Sequence, residues 1–232
     1  MILLKDRPIF FRINFEFSGD IKLNSFELEH LRSLRLHRYE KEIEFRDGSG
    51  GSAIYHFSPN SNLGTLLSKT KVPTQPNPLS LALAIPKSNR LDYLLQKATE
   101  IGISNFHFII FFQSERKDFN RERCERILLS ACSQSKRHTV PQIHIHSSLK
   151  EYLETNPDSF YFDPASPIPW KTELTGISTP ILGPEGGFRE EEIKMFTEFD
   201  RKGYNLGDTI MRIETAALYS LSVLQYSIRK SG

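Results

Sequence analysis

Cysteine, long apolar runs and strong net charge are all scarce in this chain of 232 residues. Cys124 and Cys132 fall in one predicted helix, about 12 Å apart, which is too far for a disulfide between them. No apolar run approaches the roughly 18 residues that a membrane helix needs, and the first residues lack the pattern of a signal peptide. We therefore expect a cytoplasmic protein with no membrane association.

Several common site motifs are also missing. The glycine turn at 183–187 is not followed by Lys-Ser or Lys-Thr, which excludes a P-loop, and its spacing does not match the dinucleotide fingerprint. No G-x-S-x-G elbow supports a hydrolase triad. His144 and His146 share a predicted strand face, but no third ligand lies at a suitable spacing, so we expect no metal site.

The net charge of +2 does not by itself indicate a nucleic-acid-binding protein. Basic residues are concentrated in two segments, 30–38 and 116–137. Each segment is consistent either with a solvated helix face or with an RNA contact, and charge alone does not separate these alternatives.

Residues 1–72 show the pattern of a small β-rich barrel. Strand-like alternation covers 9–17, with Phe11, Ile13, Phe15 and Phe17 predicted on one face. A hairpin is predicted around 47–51, where glycines permit a tight turn. Three prolines between residues 73 and 78 mark a linker, so we place the domain boundary between residues 72 and 73.

Residues 73–232 alternate between predicted strands and helices. The run LSLALAI is apolar throughout, as expected for a strand buried on both faces. A helix follows, with Ser88 as the predicted cap and Gly102 at its end. This alternation predicts an α/β domain with a mainly parallel sheet covered on both sides.

Two glycine loops in this second part are the best candidates for a binding site. Turn 183–187 and the pair Leu206–Gly207 each follow a predicted strand and precede a helix. Ligands bind outside the carboxyl ends of strands in such sheets, so the two loops are predicted to form opposite walls of one site. The run 190–192 is acidic and would repel a phosphate, which favours a neutral or cationic ligand.

The motifs ILGPEGGFREEEI (181–193) and LGDTIMRIETAAL (206–218), together with QKATEIG (96–102), resemble those of a known family. This family is the bacterial 16S rRNA uridine-N3 methyltransferases of the SPOUT superfamily. The resemblance covers nearly the whole chain and rests on the two long motifs taken together. One departure is Thr209, which stands where the family often has an arginine.

The resemblance implies a PUA-like, RNA-binding β-barrel over 1–72 and a SPOUT methyltransferase domain with a deep trefoil knot over 73–232. It also implies a homodimer that binds S-adenosylmethionine in the knot. The implied cofactor-binding residues are Leu182, Gly183, Pro184, Gly186, Gly187, Leu206, Gly207, Ile210, Met211, Thr215 and Ala216.

The implied reaction is methyl transfer from S-adenosylmethionine to uridine N3 of 16S rRNA in the 30S subunit. The alternatives are a SPOUT enzyme that acts on tRNA and a non-catalytic RNA-binding protein. Arginine can stabilise the anion that forms at N3, and Glu185 and Glu214 can orient arginines or accept a proton. The predicted catalytic residues are Arg116, Arg137, Arg212, Glu185 and Glu214. The predicted RNA-binding residues are Arg32, Arg35 and Arg38.

Overall fold

The structure, a computed structural model, describes residues 7–73, 79–114, 119–171 and 178–231. The chain divides into two compact units. Met1–Gln75 and Cys132–Val140 form the first, while Pro76–Ala131 and Pro141–Gly232 form the second. Within the described ranges, no helix is both long and apolar enough to cross a membrane.

The segment 132–140 belongs to the first unit, whereas the sequence boundary at 72/73 assigns it to the second. Backbone hydrogen bonds account for this difference. The Val140 N–H donates to the Gly48 carbonyl at 3.1 Å, and the Arg46 guanidinium donates to the Arg137 carbonyl at 2.8 Å. These contacts join residues that are far apart in the chain, so local composition does not reveal them.

A five-stranded mixed sheet forms most of the first unit, in the order β1-β3-β4-β5-β2. Its strands are β1 Ile9–Phe11, β2 Ile21–Lys22, β3 Lys41–Arg46, β4 Gly51–Phe57 and β5 Leu63–Lys71. The helix α1 spans Ser25–Ser33, and a 3₁₀ turn spans Leu36–Arg38. β1 runs parallel to β3, and the other pairs are antiparallel. The predicted hairpin is confirmed, with the Asp47 carboxylate accepting the Ser49 and Gly51 N–H groups in its turn.

The predicted strand over 9–17 is wrong beyond Phe11. The chain turns at Asn14, whose φ of 56° lies in the left-handed region. The turn breaks the period of two, so Phe10, which lies outside the predicted face, is buried, while Phe17 is the buried member of that face. Ile13 and Phe15, predicted to face the core, are 49% and 38% exposed.

An almost fully buried ion pair anchors α1 to the sheet. Glu27 is 2% exposed, and its carboxylate accepts hydrogen bonds from the Arg12 guanidinium at 2.7 and 2.9 Å. The same carboxylate accepts the Asn24 N–H, while the Asn24 side chain accepts the Glu27 N–H, which caps the helix. The cost of burying the Glu27 carboxylate is offset because the Arg12 guanidinium and the Asn24 N–H donate hydrogen bonds to it.

The second unit contains a six-stranded sheet in the order β11-β9-β10-β6-β7-β8, and every pairing in it is parallel. Its strands are β6 Ser80–Ala84, β7 Asn105–Ile109, β8 Gln142–His146, β9 Ser159–Phe162, β10 Thr179–Leu182 and β11 Gly203–Tyr204. Its helices are α2 Ser88–Ile101, α3 Arg121–Gln134, α4 Leu149–Thr155, α5 Glu190–Glu198 and α6 Ile213–Ser231. The predicted α/β class is confirmed, although α4 is absent from the sequence prediction.

The apolar pattern explains where β6 and α2 lie. Leu81, Ala82 and Leu83 of β6 are all 0% exposed, and burying each leucine contributes about 1.5–3 kcal/mol. α2 buries one apolar stripe, formed by Leu91, Leu94, Leu95 and Ala98. It ends at Gly102 as predicted, because the cap needs a φ of 115° that glycine adopts without strain. The cap at its start is Lys87 rather than the predicted Ser88.

Three histidines cluster on β7 and β8. The His107 ring stacks on those of His144 and His146, with centroids 4.8 and 5.4 Å apart, and its Nδ1 lies 3.1 Å from the Nε2 of His146. Burial, and then the charges of its two neighbours, lower the pKa of His107 to about 4. Among the residues described, no His, Cys, Asp and Glu cluster is arranged to hold a metal ion.

Glu27→Ala should destabilise the protein by about 3 kcal/mol, because it leaves the Arg12 guanidinium without its buried partner and removes half of the helix cap. Urea unfolding followed by circular dichroism measures this loss. Glu29→Ala removes an exposed carboxylate from the same helix and should change stability by less than about 0.5 kcal/mol. Equal effects of the two substitutions would contradict the role given to Glu27.

Stability should fall as the pH drops from about 6.5 towards 4. In this window the unfolded chain protonates the residue-107 imidazole, whereas the folded protein keeps it neutral. Burial also lowers the pKa values of His144 and His146; Arg121 adds to this effect at His144, and Glu151 opposes it at His146. His107→Phe should flatten the dependence of the urea midpoint on pH. An unchanged slope would show that His107 does not govern it.

Candidate functional site

Three neighbouring parallel strands place their ends at one edge of the second-unit sheet. β9, β10 and β11 end at Phe162, Leu182 and Tyr204, and all three run in the same direction. Because carboxyl ends of parallel strands share one edge, the loops that follow them emerge side by side. These loops lead into residue 163, the turn 183–187 and the segment 205–212.

A cavity of about 370 Å³ lies between these loops and the start of α6. The glycine turn and the Leu206–Gly207 loop both line it, so the predicted meeting of the two loops is confirmed. Among the predicted cofactor-binding residues, those that line it are Leu182, Gly183, Pro184, Gly187, Leu206, Gly207, Ile210, Met211 and Ala216. Gly186 and Thr215 are not among the residues that form its wall.

The glycines of the turn have different roles. A Cβ atom at Gly183 would lie 2.8 Å from the Phe188 ring, so this glycine allows close packing. A Cβ atom at Gly186 would lie 2.5 Å from the Gln113 side-chain oxygen, outside the cavity wall. Gly187 has a φ of 78°, and a Cβ atom there would meet no heavy atom within 4 Å. Gly187 thus combines a turn conformation with open space beside the cavity.

One residue of the acidic run 190–192 has a structural role that the sequence prediction missed. Glu192 is 1% exposed, and its carboxylate accepts the N–H groups of Arg189 at 2.8 Å and Phe112 at 3.0 Å. It therefore caps α5 and joins the helix start to the chain beyond β7. Glu190 and Glu191 stay exposed in the first turn of the helix.

The second loop is fixed by backbone hydrogen bonds on both sides of Asn205. The Asn205 N–H donates to the Ile168 carbonyl, and the Trp170 N–H donates to the Asn205 carbonyl, both at 2.9 Å. Beyond this anchor, Gly207 adopts a φ of 133° and Ile210 is 87% exposed. The loop therefore presents apolar side chains and bare backbone to the cavity.

Charged groups of both signs surround the cavity. Glu185, Asp163 and Arg212 line it, and Arg90 of α2 reaches it from another direction. Arg90 pairs with the Glu185 carboxylate, and its Nε lies 3.8 Å from Oε1 of Glu214. Arg90 is absent from the sequence prediction, although a cation in the first turn of a helix opposes the helix dipole and signals the need for an acidic partner.

The predicted catalytic residues are not all brought together. Glu185 and Arg212 line the cavity, whereas Glu214 does not line it but lies 3.8 Å from Arg90, which does. Arg137 belongs to the first unit, where burial lowers the pKa of its guanidinium. Arg116 lies outside the described residues. The predicted RNA-binding residues Arg32, Arg35 and Arg38 are exposed on the first unit.

The third wall of the cavity is also missing from the sequence prediction. It comes from Phe162, Asp163 and Pro164, where β9 ends. The Asp163 carboxylate accepts the Ala165 N–H at 2.9 Å, which fixes the turn at this point. No glycine marks this loop, so only its position beside β10 identifies it.

Comparison with known proteins places the chain in a family. The family model described as an RNA methyltransferase domain matches residues 73–225. A ribosomal RNA small subunit methyltransferase E from Mesomycoplasma hyopneumoniae is 29% identical over 220 residues, covering 86% of this chain and 91% of that protein. The protein of the same name from Bacillus subtilis is 29% identical over 169 residues, covering 63% of this chain and 64% of that protein.

A solved structure shares the fold over almost the full length. It is a ribosomal RNA small subunit methyltransferase E from Neisseria gonorrhoeae bound to S-adenosyl methionine, with a TM-score of 0.81 and 25% identity. The similarity covers 95% of this chain and 97% of that one. The sequence comparison and the structural comparison both lead to proteins named ribosomal RNA small subunit methyltransferase E. Since the family model matches more than half of the sequence, the chain belongs to the RNA methyltransferase family.

Proposed function

We propose that the protein transfers a methyl group from S-adenosylmethionine to N3 of a uridine in 16S rRNA. The observation that carries this proposal is the single cavity formed by the two glycine loops. The relatives named above are small-subunit ribosomal RNA methyltransferases, and the gonococcal one is bound to S-adenosyl methionine. These names support the same cofactor and RNA class for this chain.

The cavity residues fit S-adenosylmethionine better than a phosphate ligand. Leu182, Leu206, Met211 and Ala216 supply apolar surface for the adenine ring and the methionine chain. The exposed backbone of the glycine turn can donate and accept hydrogen bonds at the adenine edge. The ligand's sulfonium and ammonium groups are cations, and Asp163 offers negative charge at the cavity, whereas Glu185 is paired with Arg90.

The cofactor supplies the methyl group, and the protein must orient and activate the uridine. N3 carries a proton, so it becomes a good nucleophile only when that proton is lost. Holding N3 in line with the donor can contribute about 7–11 kcal/mol. Arg212 lies exposed at the cavity and can stabilise negative charge on the uracil ring. Glu185 and Glu214 remain the candidates for orienting arginines or accepting the proton.

The target base must be unpaired or flipped, because N3 lies on the Watson–Crick edge. We assign RNA binding to the first unit. It would be a PUA-like barrel over 1–72 that contacts RNA through Arg32, Arg35 and Arg38. We assign catalysis to 73–232, as a SPOUT domain with a deep trefoil knot. The working form would be a cytoplasmic homodimer that acts on the 30S subunit.

The direct test incubates the protein with labelled S-adenosylmethionine and 30S subunits that lack the modification, followed by mapping of modified uridines. Label at N3 of one 16S uridine is the expected result. Label only on tRNA would favour the tRNA alternative. RNA retention without cofactor binding would favour a non-catalytic RNA-binding protein.

Gly187→Val should weaken S-adenosylmethionine binding at least tenfold, measured by calorimetry, because it strains the turn and adds a side chain beside the cavity. Gly19→Val is the matched control, since Gly19 also has a positive φ of 56° and open space for a Cβ atom. Both substitutions cost roughly 1 kcal/mol of backbone strain. Equal cofactor affinity in the two variants would contradict the placement of the cofactor beside the turn.

Arg212→Gln should lower the rate of methyl transfer at saturating cofactor by at least tenfold while leaving the cofactor Kd within about twofold. The reason is that the guanidinium stabilises charge that develops on the uridine only during the reaction. Single-turnover rates on 30S subunits measure the first effect, and calorimetry measures the second. A variant with normal rates would remove Arg212 from the mechanism.

A further inference from the structure

Arg90 connects three elements that are distant in the sequence. It lies in the first turn of α2, pairs with Glu185 in the glycine turn, and approaches Glu214 in the first turn of α6. The Arg90 side chain is 24% exposed, so solvent screens it only in part. Arg90 also lines the cavity.

The positions of Arg90 and Glu214 both favour an ion pair between them. A cation in the first turn of α2 is weakly disfavoured by the helix dipole, and nearby acidic groups offset this cost for Arg90. Glu214 is 13% exposed, and its Oε2 is buried without a hydrogen-bond partner among the described residues. A buried carboxylate in this position depends on a nearby cation to remain charged at low cost.

The two contacts differ in strength. Arg90 hydrogen-bonds to Glu185, whereas its Nε stands 3.8 Å from Glu214, which is an ion-pair distance without a hydrogen bond. The guanidinium fork can serve two carboxylates at once, which the single ammonium of a lysine does less well. Arg90 is therefore suited to hold the glycine turn at a set distance from the start of α6.

We propose that Arg90 is a positioning residue that holds the glycine turn and the start of α6 together beside the cofactor cavity, through Glu185 and Glu214. This inference rests on the proposed function, in that the cavity's ligand is taken to be S-adenosylmethionine. It extends the proposed function because it makes the width of the cavity depend on Arg90, a residue outside both glycine motifs. Arg90 acts through the two acids and need not touch the cofactor.

The first measurement uses the cofactor. Arg90→Gln should raise the Kd for S-adenosylmethionine at least tenfold, and Arg90→Lys should lie between this variant and the wild type. Arg90→Gln combined with Glu214→Gln should bind no more weakly than Arg90→Gln alone, because the second change removes the uncompensated charge. The dependence of affinity on charge at position 214 separates this role from a general loss of packing.

The matched control is Arg123→Gln. Arg123 is also a partly exposed arginine that pairs with an acid of α2, namely Asp92, but it does not line the cavity. Its replacement should leave the cofactor Kd within twofold of the wild type. A wild-type Kd in Arg90→Gln would overturn the proposal, and so would an equal loss in Arg123→Gln.

The second measurement uses the protein alone. A double-mutant cycle of Arg90→Gln and Glu185→Gln by urea unfolding should be non-additive, with the unfolding equilibrium constant changed at least fivefold by the coupling. Additive effects would overturn the proposal. Neither measurement uses RNA, so an absence of methyl transfer to 30S subunits would refute the proposed substrate without deciding the role of Arg90.

Discussion

The parallel register of β9, β10 and β11 is the constraint on which the site depends. Thr179–Leu182 pairs residue by residue with Ser159–Phe162, and Gly203–Tyr204 pairs with Tyr161–Phe162. The three strands therefore end at the same level, and their loops meet. A slip of one residue would turn the buried side chains of β10 towards its other face and separate the loops.

Electrostatic balance around the cavity follows from this arrangement. Glu185 of the glycine turn and Glu214 at the start of α6 both lie beside the Arg90 guanidinium, and the two acids would repel each other without this cation. Arg90 supplies that cation from α2, which packs against α6. The cavity keeps apolar walls and a paired acidic rim, which suits a cationic methyl donor. A family of RNA methyltransferases fits this chemistry.

The first unit shows how long-range contacts override chain order. Glu27 and Arg12 form a buried pair that fixes the helix to the sheet, and Arg46 binds the carbonyl of Arg137 from a distant segment. The segment 132–140 begins within the last turn of α3, so its sequence gives no sign that it belongs to a different unit. The exposed arginines of the 30–38 region give this unit a basic surface.

The sequence by itself determined the α/β class, the main strands and helices, and the two glycine loops, because apolar periodicity and glycine placement are local signals. It did not determine α4 or the end of the first strand at Phe11. The turn at Asn14 was hidden because the apolar residues on either side of it alternate as in a strand. The wall at Phe162–Pro164 and the bridge made by Arg90 depended on the tertiary structure. Strand order decides which loops become neighbours, and the pairing of charges across those loops exists only once the sheet has formed.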